Sequence, residues 1–154
     1  MSDTDQSDAA AMLNDHRDGW CSAMGLMFVR ATSAEVIAEL TIGPQHLQGY
    51  GIVHGGVHCG VVETLVSVGG ALHALQHGQA VVGLENHTSF VRAVREGERL
   101  TARATPLTRG RSSQVWEASI ATLDGKLVAK GSVRLLCIDQ GRELAGKPVE
   151  PKMD

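Results

Sequence analysis

Between Val57 and Leu75 the chain carries one charged side chain, Glu63, and no proline. The stretch opens on His54, Gly55 and Gly56 and closes at Gly78, which predicts a helix from Gly55 to about Gln76. A helix that is apolar nearly all round has no face to give to water. It must be wrapped, by its own curved sheet or by a second subunit. Gly55, Gly56, Gly60, Gly69, Gly70 and Ala71 are small, and the five glycines are poor helix formers. They suit a helix against which other backbone packs closely.

The rest of the chain reads as strands. Apolar runs over 24–32 and 34–42 end at Gly43 and Pro44, and 45–51 is a loop. After Gly78, the stretches 80–93, 99–107, 113–123 and 126–138 alternate or run apolar at strand period. Trp116, Ala118 and Ile120 alternate with Glu117 and Ser119. Asp124-Gly125 between two such runs is a hairpin signal. The pattern predicts one α+β domain over 19–139, with a mostly antiparallel sheet and one long central helix. Residues 1–18 read as a polar, mobile tail and 140–154 as a trailing tail. Long strands after Gly78 leave edges that dimerisation would pair.

Composition narrows the function classes. At 154 residues the chain is long enough for one real core. A net charge of −3 offers no whole-chain basic field, so no nucleic-acid partner is expected. No uninterrupted apolar run reaches the length of about 18 that marks a membrane span, and the N-terminus lacks the basic and apolar regions of a signal peptide. Cys21, Cys59 and Cys137 are odd in number and widely spaced, which suits reduced thiols in a cytoplasmic protein.

A carboxylate among Val61, Val62, Leu65 and Val66 is costly to bury without a partner. Glu63 is therefore either a functional group or a structural hydrogen-bond acceptor. Ser67 lies four residues on, on the same helix face. The first N–H groups of a helix lack intrahelical partners and lie at its positive end, so the Gly55-Gly56 start suits a developing oxyanion. Gly49, Gly51 and His54 fall short of a dinucleotide fingerprint. His54 with His58, and His73 with His77, have the spacing of zinc ligands, but no third ligand accompanies them and no metal is expected. There is no Gly-x-Ser-x-Gly elbow and no Walker A loop.

Three groups of residues together resemble the hotdog-fold acyl-CoA thioesterases. They are Gln48 to Gly56 with Glu63 and Ser67, then Val82 to Arg92 with Arg95 to Gly97, and then Leu107 to Trp116. The similarity is greatest to the branch that includes the Arthrobacter-type 4-hydroxybenzoyl-CoA, enterobactin proofreading and 1,4-dihydroxy-2-naphthoyl-CoA thioesterases. It spans about Gly25 to Cys137. The resemblance implies a hotdog fold and hydrolysis of an acyl-CoA, with an aryl or other hydrophobic acyl group. Glu63 matches the catalytic carboxylate, as nucleophile or as general base on water, and Ser67 the hydroxyl that positions the water. Gln48 and His54 match side chains facing the thioester from the neighbouring subunit, and Gly55 the oxyanion donor. Gly83, Phe90, Val91, Arg92, Arg109, Gly110, Arg111 and Ser112 match the Coenzyme A-binding stretches. The family implies a dimer, paired into a tetramer, with no cofactor apart from the Coenzyme A of the substrate. Two alternatives stay open at this point: a hotdog dehydratase or hydratase, and a non-catalytic acyl-CoA sensor.

Overall fold

The computed structural model describes residues 7–17 and 19–150. The outermost parts of both expected tails, 1–6 and 151–154, and residue 18 lie outside the described residues. Among the described residues there are three α-helices: α1 (Ala10–Asp15), α2 (Gly19–Met24) and α3 (Gly55–Leu75). Six strands form one sheet: β1 (Met27–Ala31), β2 (Val36–Thr41), β3 (Gln79–Phe90), β4 (Arg99–Arg109), β5 (Ser113–Thr122) and β6 (Leu127–Asp139). Their spatial order is β1-β2-β4-β5-β6-β3, and every pairing is antiparallel. The long helix lies along one face of this sheet, the expected hotdog arrangement.

Strand alternation places the core. Gln114, Trp116, Ala118 and Ile120 point inward from β5, and Leu100, Ala102 and Ala104 from β4. They meet Val61, Val62, Leu65, Val66 and Gly69 on the inner face of α3. The close approach to α3 that its glycines allow comes from side chains, not from backbone. A Cβ at Gly69 would stand 2.6 Å from the Trp116 ring, and Cβ atoms at Gly60 and Gly70 would collide with Trp20 and Leu135. The hairpin expected at Asp124-Gly125 joins β5 to β6, with Gly125 at φ +85°. Only glycine takes that conformation cheaply.

One expectation, that of a mobile N-terminal tail, is corrected, and two features are added. First, residues 8–15 are tied down. The Asp8 carboxylate accepts from the Ala10 and Ala31 N–H groups, bonds that lower its pKa, and Asn14 exchanges two hydrogen bonds with the Phe28 backbone. Together α1 and these side chains cover the β1 edge, which would otherwise stay open. Second, the trailing segment folds back as a short ribbon, β7 (Glu143–Leu144) with β8 (Lys147–Pro148). Third, α3 is long and apolar enough to cross a membrane by length and composition. It passes that test because it is a core helix, with its inner stripe buried on the sheet.

The outer stripe of α3, including Cys59, Glu63, Ser67 and Ala71, stays half-exposed. Beside it, β3 forms a free sheet edge of 12 residues. This is the face left uncovered by the chain's own sheet.

Candidate active site

The loop 43–54 sets the start of α3. His46 is fully buried, and its two ring nitrogens are both used. Nδ1 accepts from the Gly43 N–H at 2.8 Å and Nε2 donates to the Met24 carbonyl at 2.7 Å. The His46 carbonyl then accepts from the His54 N–H at 2.8 Å. A turn with Gly51 at φ +72° brings Gln48 back over this loop, and its Oε1 accepts from the Tyr50 N–H. Among the described residues nothing accepts from the Gln48 amide nitrogen, which leaves it as a donor.

His54 is the N-cap of α3. Its Nδ1 accepts from the Gly56 N–H at 2.8 Å, which assigns the ring proton to Nε2. Its carbonyl accepts from the Val57 N–H. Among the described residues, nothing accepts from the Gly55 N–H. The helix therefore begins with one unpaired donor at its positive end, flanked by two that are occupied. A cleft of about 280 Å³ opens there, lined by Gln48, Gly55, His58, Phe90, Val91 and Arg92 among others. The Phe90 ring lies over Gly55, where a Cβ would stand 2.6 Å from it. Glycine lets ring and helix meet this closely without displacing the ring.

Glu63 is half-buried in the middle of α3, not sunk in the core. Its Oε2 accepts from Asn86 Nδ2 at 3.0 Å, and the same amide group donates to the Cys59 carbonyl at 3.1 Å. Thr88 Oγ1 donates to Asn86 Oδ1 at 2.6 Å, which fixes which way the amide points. Opposite, a Cβ at Gly83 would collide with Glu63 Oε1. Gly83, matched above to Coenzyme A contacts, thus belongs with the carboxylate. Ser67 follows one turn along the same face of α3.

The expected site residues fall into three places. Gln48, Gly55, Phe90, Val91 and Arg92 share the cleft at the start of α3, with His54 at the cap. Glu63, Ser67 and Gly83 lie at its middle. Arg109, Gly110 and Arg111 line a larger cavity of about 530 Å³ at its end, with His73, His77 and Asp139. Ser112 follows in the same loop. Arg109 already donates to the Ser33 carbonyl at 2.8 Å. Burial lowers the His73 pKa, helped by the positive charges of Arg109 and His77. No group of three or more His, Cys, Asp or Glu among the described residues could hold a metal ion.

Asn86 and His58 are site residues that sequence reasoning missed. Asn86 and Thr88 alternate with exposed Glu85 and His87 at strand period, which is the signal that puts them on the helix-facing side. His58 follows His54 by one helical turn, and its spacing drew attention only as a zinc pair.

Comparison with known proteins identifies the family. The family model of the thioesterase superfamily matches residues 50–129. A Mycobacterium tuberculosis protein named as an esterase is 38% identical over 116 residues, covering 74% of this chain and 82% of its own. The proofreading thioesterase EntH of Klebsiella pneumoniae is 32% identical over 103 residues, covering 67% and 74%. The crystal structure of a thioesterase from Haemophilus influenzae superposes with a TM-score of 0.78 at 33% identity, covering 84% of this chain and 90% of that one. With a capped helix start offering one free N–H and a carboxylate held further along the same helix, this chain belongs to the thioesterase superfamily and is a hydrolase of thioesters.

Proposed function

We propose that the protein hydrolyses an acyl-CoA, with an aryl or other hydrophobic acyl group, in a site shared between two copies of the chain. One observation carries the reading. The Gly55 N–H is the free donor, and Glu63 lies eight residues further along the same helix, about 12 Å along its axis. Attack needs reacting atoms about 3–3.5 Å apart. A thioester whose oxygen rests on Gly55 is therefore out of reach of its own chain's Glu63, and the carboxylate must come from a second copy. The half-exposed stripe of α3 and the free β3 edge, with Leu84 and Phe90 exposed, supply the surface for that pairing. Pairing of such dimers into a tetramer is part of the same proposal.

In the general-base route, Glu63 takes a proton from water placed by Ser67, and the hydroxide attacks the carbonyl carbon. The C=O electrons move to oxygen, which the Gly55 N–H and the helix dipole stabilise. Removing one such donor costs about 10²–10³ in rate. Collapse breaks the C–S bond, and the thiolate takes a proton, leaving free acid and Coenzyme A. In the nucleophilic route, Glu63 forms an anhydride that water then opens. Gln48 Nε2 and His54 Nε2–H stand at the thioester as donors. Arg92, and Arg111 with Gly110 and Ser112, suit the phosphates of Coenzyme A.

Two-fold pairing also accounts for the separation of the two arginine groups. If Gly55 faces Glu63 of a second copy, the helices run antiparallel. The second helix then ends about 18 Å beyond Gly55, carrying its own Arg109–Ser112 loop outward along the path a pantetheine arm would follow. The test is thiol release from a panel of acyl-CoA thioesters. Wild-type protein turns over at least one, and Glu63→Gln lowers its kcat by several orders of magnitude with KM retained. A variant keeping more than about a tenth of the turnover would refute the role of Glu63.

A further inference from the structure

The strand beside Glu63 carries a bulge. Gly83 pairs with Leu135 and Glu85 with Arg134, so Leu84 is an extra residue on β3. Along a regular strand, residues 83 and 86 would point to opposite faces of the sheet. The inserted residue turns both toward α3. A Cβ on Gly83 would stand 2.4 Å from Glu63 Oε1, and Asn86 Nδ2 lies 3.0 Å from Glu63 Oε2. Bulges beside active sites re-aim side chains in this way. Here the two re-aimed positions take the two oxygens of one carboxylate.

Those oxygens are not equivalent. Oε2 accepts from Asn86, while among the described residues nothing donates to Oε1. The orientation of the Asn86 amide is over-determined. Its nitrogen faces the Cys59 carbonyl at 3.1 Å as well as the carboxylate, and both can only accept. Its Oδ1 accepts from Thr88 Oγ1 at 2.6 Å. The Thr88 hydroxyl in turn fills space that Gly131 on β6 leaves, since a Cβ there would stand 2.5 Å from it. A line of contacts thus runs from β6 through Thr88 and Asn86 to Glu63.

We propose that Asn86 is a positioning residue for the hydrolysis: held by Thr88, it tethers Oε2 and leaves Oε1, beside Gly83, as the oxygen that reacts. This role rests on Glu63 as the reacting carboxylate, proposed above. In the general-base route Oε1 takes the proton from water. In the nucleophilic route Oε1 bonds to the carbonyl carbon. A half-exposed glutamate without the tether would share its time among several rotamers. Misplacing a reacting group by about 1 Å can cost about 10²-fold in rate.

The test measures kcat and KM on the thioester that wild type cleaves fastest. Asn86→Leu keeps a similar volume without the amide, and kcat should fall about tenfold to a hundredfold with KM held within about threefold. Gly83→Ala leaves the Asn86 amide in place. Its new methyl meets only the end of a flexible side chain, so the variant folds with the carboxylate displaced, and kcat should again fall with KM held. Glu63→Asp draws the carboxylate back by one methylene, out of reach of the amide. Adding Asn86→Leu to it should therefore cost less than about twofold more. The same loss in both backgrounds would show Asn86 acting other than through Glu63 and overturn the proposal. Wild-type kcat in Asn86→Leu also overturns it. If Asn86→Leu fails to fold, Gly83→Ala decides, and full kcat there overturns the proposal. Glu63→Gln is the control. Turnover retained there removes the Glu63 assignment and this role with it. Turnover lost there but kept in Asn86→Leu and Gly83→Ala removes the positioning role alone.

Discussion

Subunit mixing tests the shared site with a number attached. Take Glu63→Ala and Gln48→Ala, each inactive alone. In a site drawn from two copies, Glu63 of one chain faces Gln48, His54 and Gly55 of the other. Equal mixing with free exchange makes about half of the pairs mixed, by two-fold statistics. Each mixed pair has one site with both residues intact and one with neither. Recovered activity is therefore about one quarter of wild type. If Glu63 served Gly55 of its own chain, every site would lack one residue and nothing would return. With the thioester oxygen at Gly55 as proposed, the separation of about 12 Å along α3 predicts against the second case. The assay is thiol release at saturating acyl-CoA, with mixed pairs counted by native mass spectrometry using a mass tag on one variant. Mixed pairs at the statistical level, with activity no greater than the sum of the separate variants, would refute the reasoning.

Three further outcomes are expected. Arg92→Ala and Arg111→Ala should each raise KM for acyl-CoA about tenfold and change little for the matching acyl-pantetheine, which lacks the nucleotide phosphates; equal losses on both would place the damage elsewhere. Asn86→Asp sets a second carboxylate against Glu63 Oε2, so the acid limb of the pH–rate profile should move to higher pH, and an unmoved limb would exclude Glu63 as the titrating base. Burial lowers the pKa of His58 in the folded chain, so on acidification through about 6.5 the unfolded chain binds a proton that the folded chain refuses, and stability falls. His58→Leu removes that contribution, and unfolding series from pH 8 to pH 5 should show wild type losing more stability than the variant; parallel curves would refute it.

Much of this was legible because the strongest signals are local. Gly55 and Gly78 bracket an unbroken apolar run, so the bounds of α3 fell within a residue or two. Asp124-Gly125 marked its hairpin, and the alternation around Trp116 marked β5. The short helices α1 and α2 carry no apolar period. In α1, order comes from Asp8 and Asn14 bonding to backbone 23 and 14 residues away, pairings that no local pattern announces. The same divide runs through the site. Glu63 and Gly55 stand out by residue type and place. Asn86 and Gly83 reach Glu63 only because β3 packs beside α3, so their roles were hidden until the sheet was built. The separation of Gly55 from Glu63 was implicit in helix geometry, yet it became an argument only once the carboxylate was seen held beside β3 and the N–H seen free.

That separation also locates the symmetry axis of the proposed pair. In a two-fold pair the contact between Gly55 and Glu63 occurs twice, with the two ends exchanged. The point of α3 nearest the axis is then midway between them, at residue 59. The residue there is a cysteine, half-exposed and on the same stripe as Glu63. If the two helices pack, their axes are about 8–10 Å apart, within the span of a short bis-maleimide. Treating the protein with that reagent should link Cys59 to Cys59 of a second copy, and Cys59→Ala should abolish the linked species while Cys137→Ala leaves it. Peptide mapping supplies the control for access. Cys59 modified at one end only, with no linked dimer while native mass spectrometry still finds the pair, would place the axis elsewhere on α3. The thioester would then have to meet a carboxylate other than Glu63.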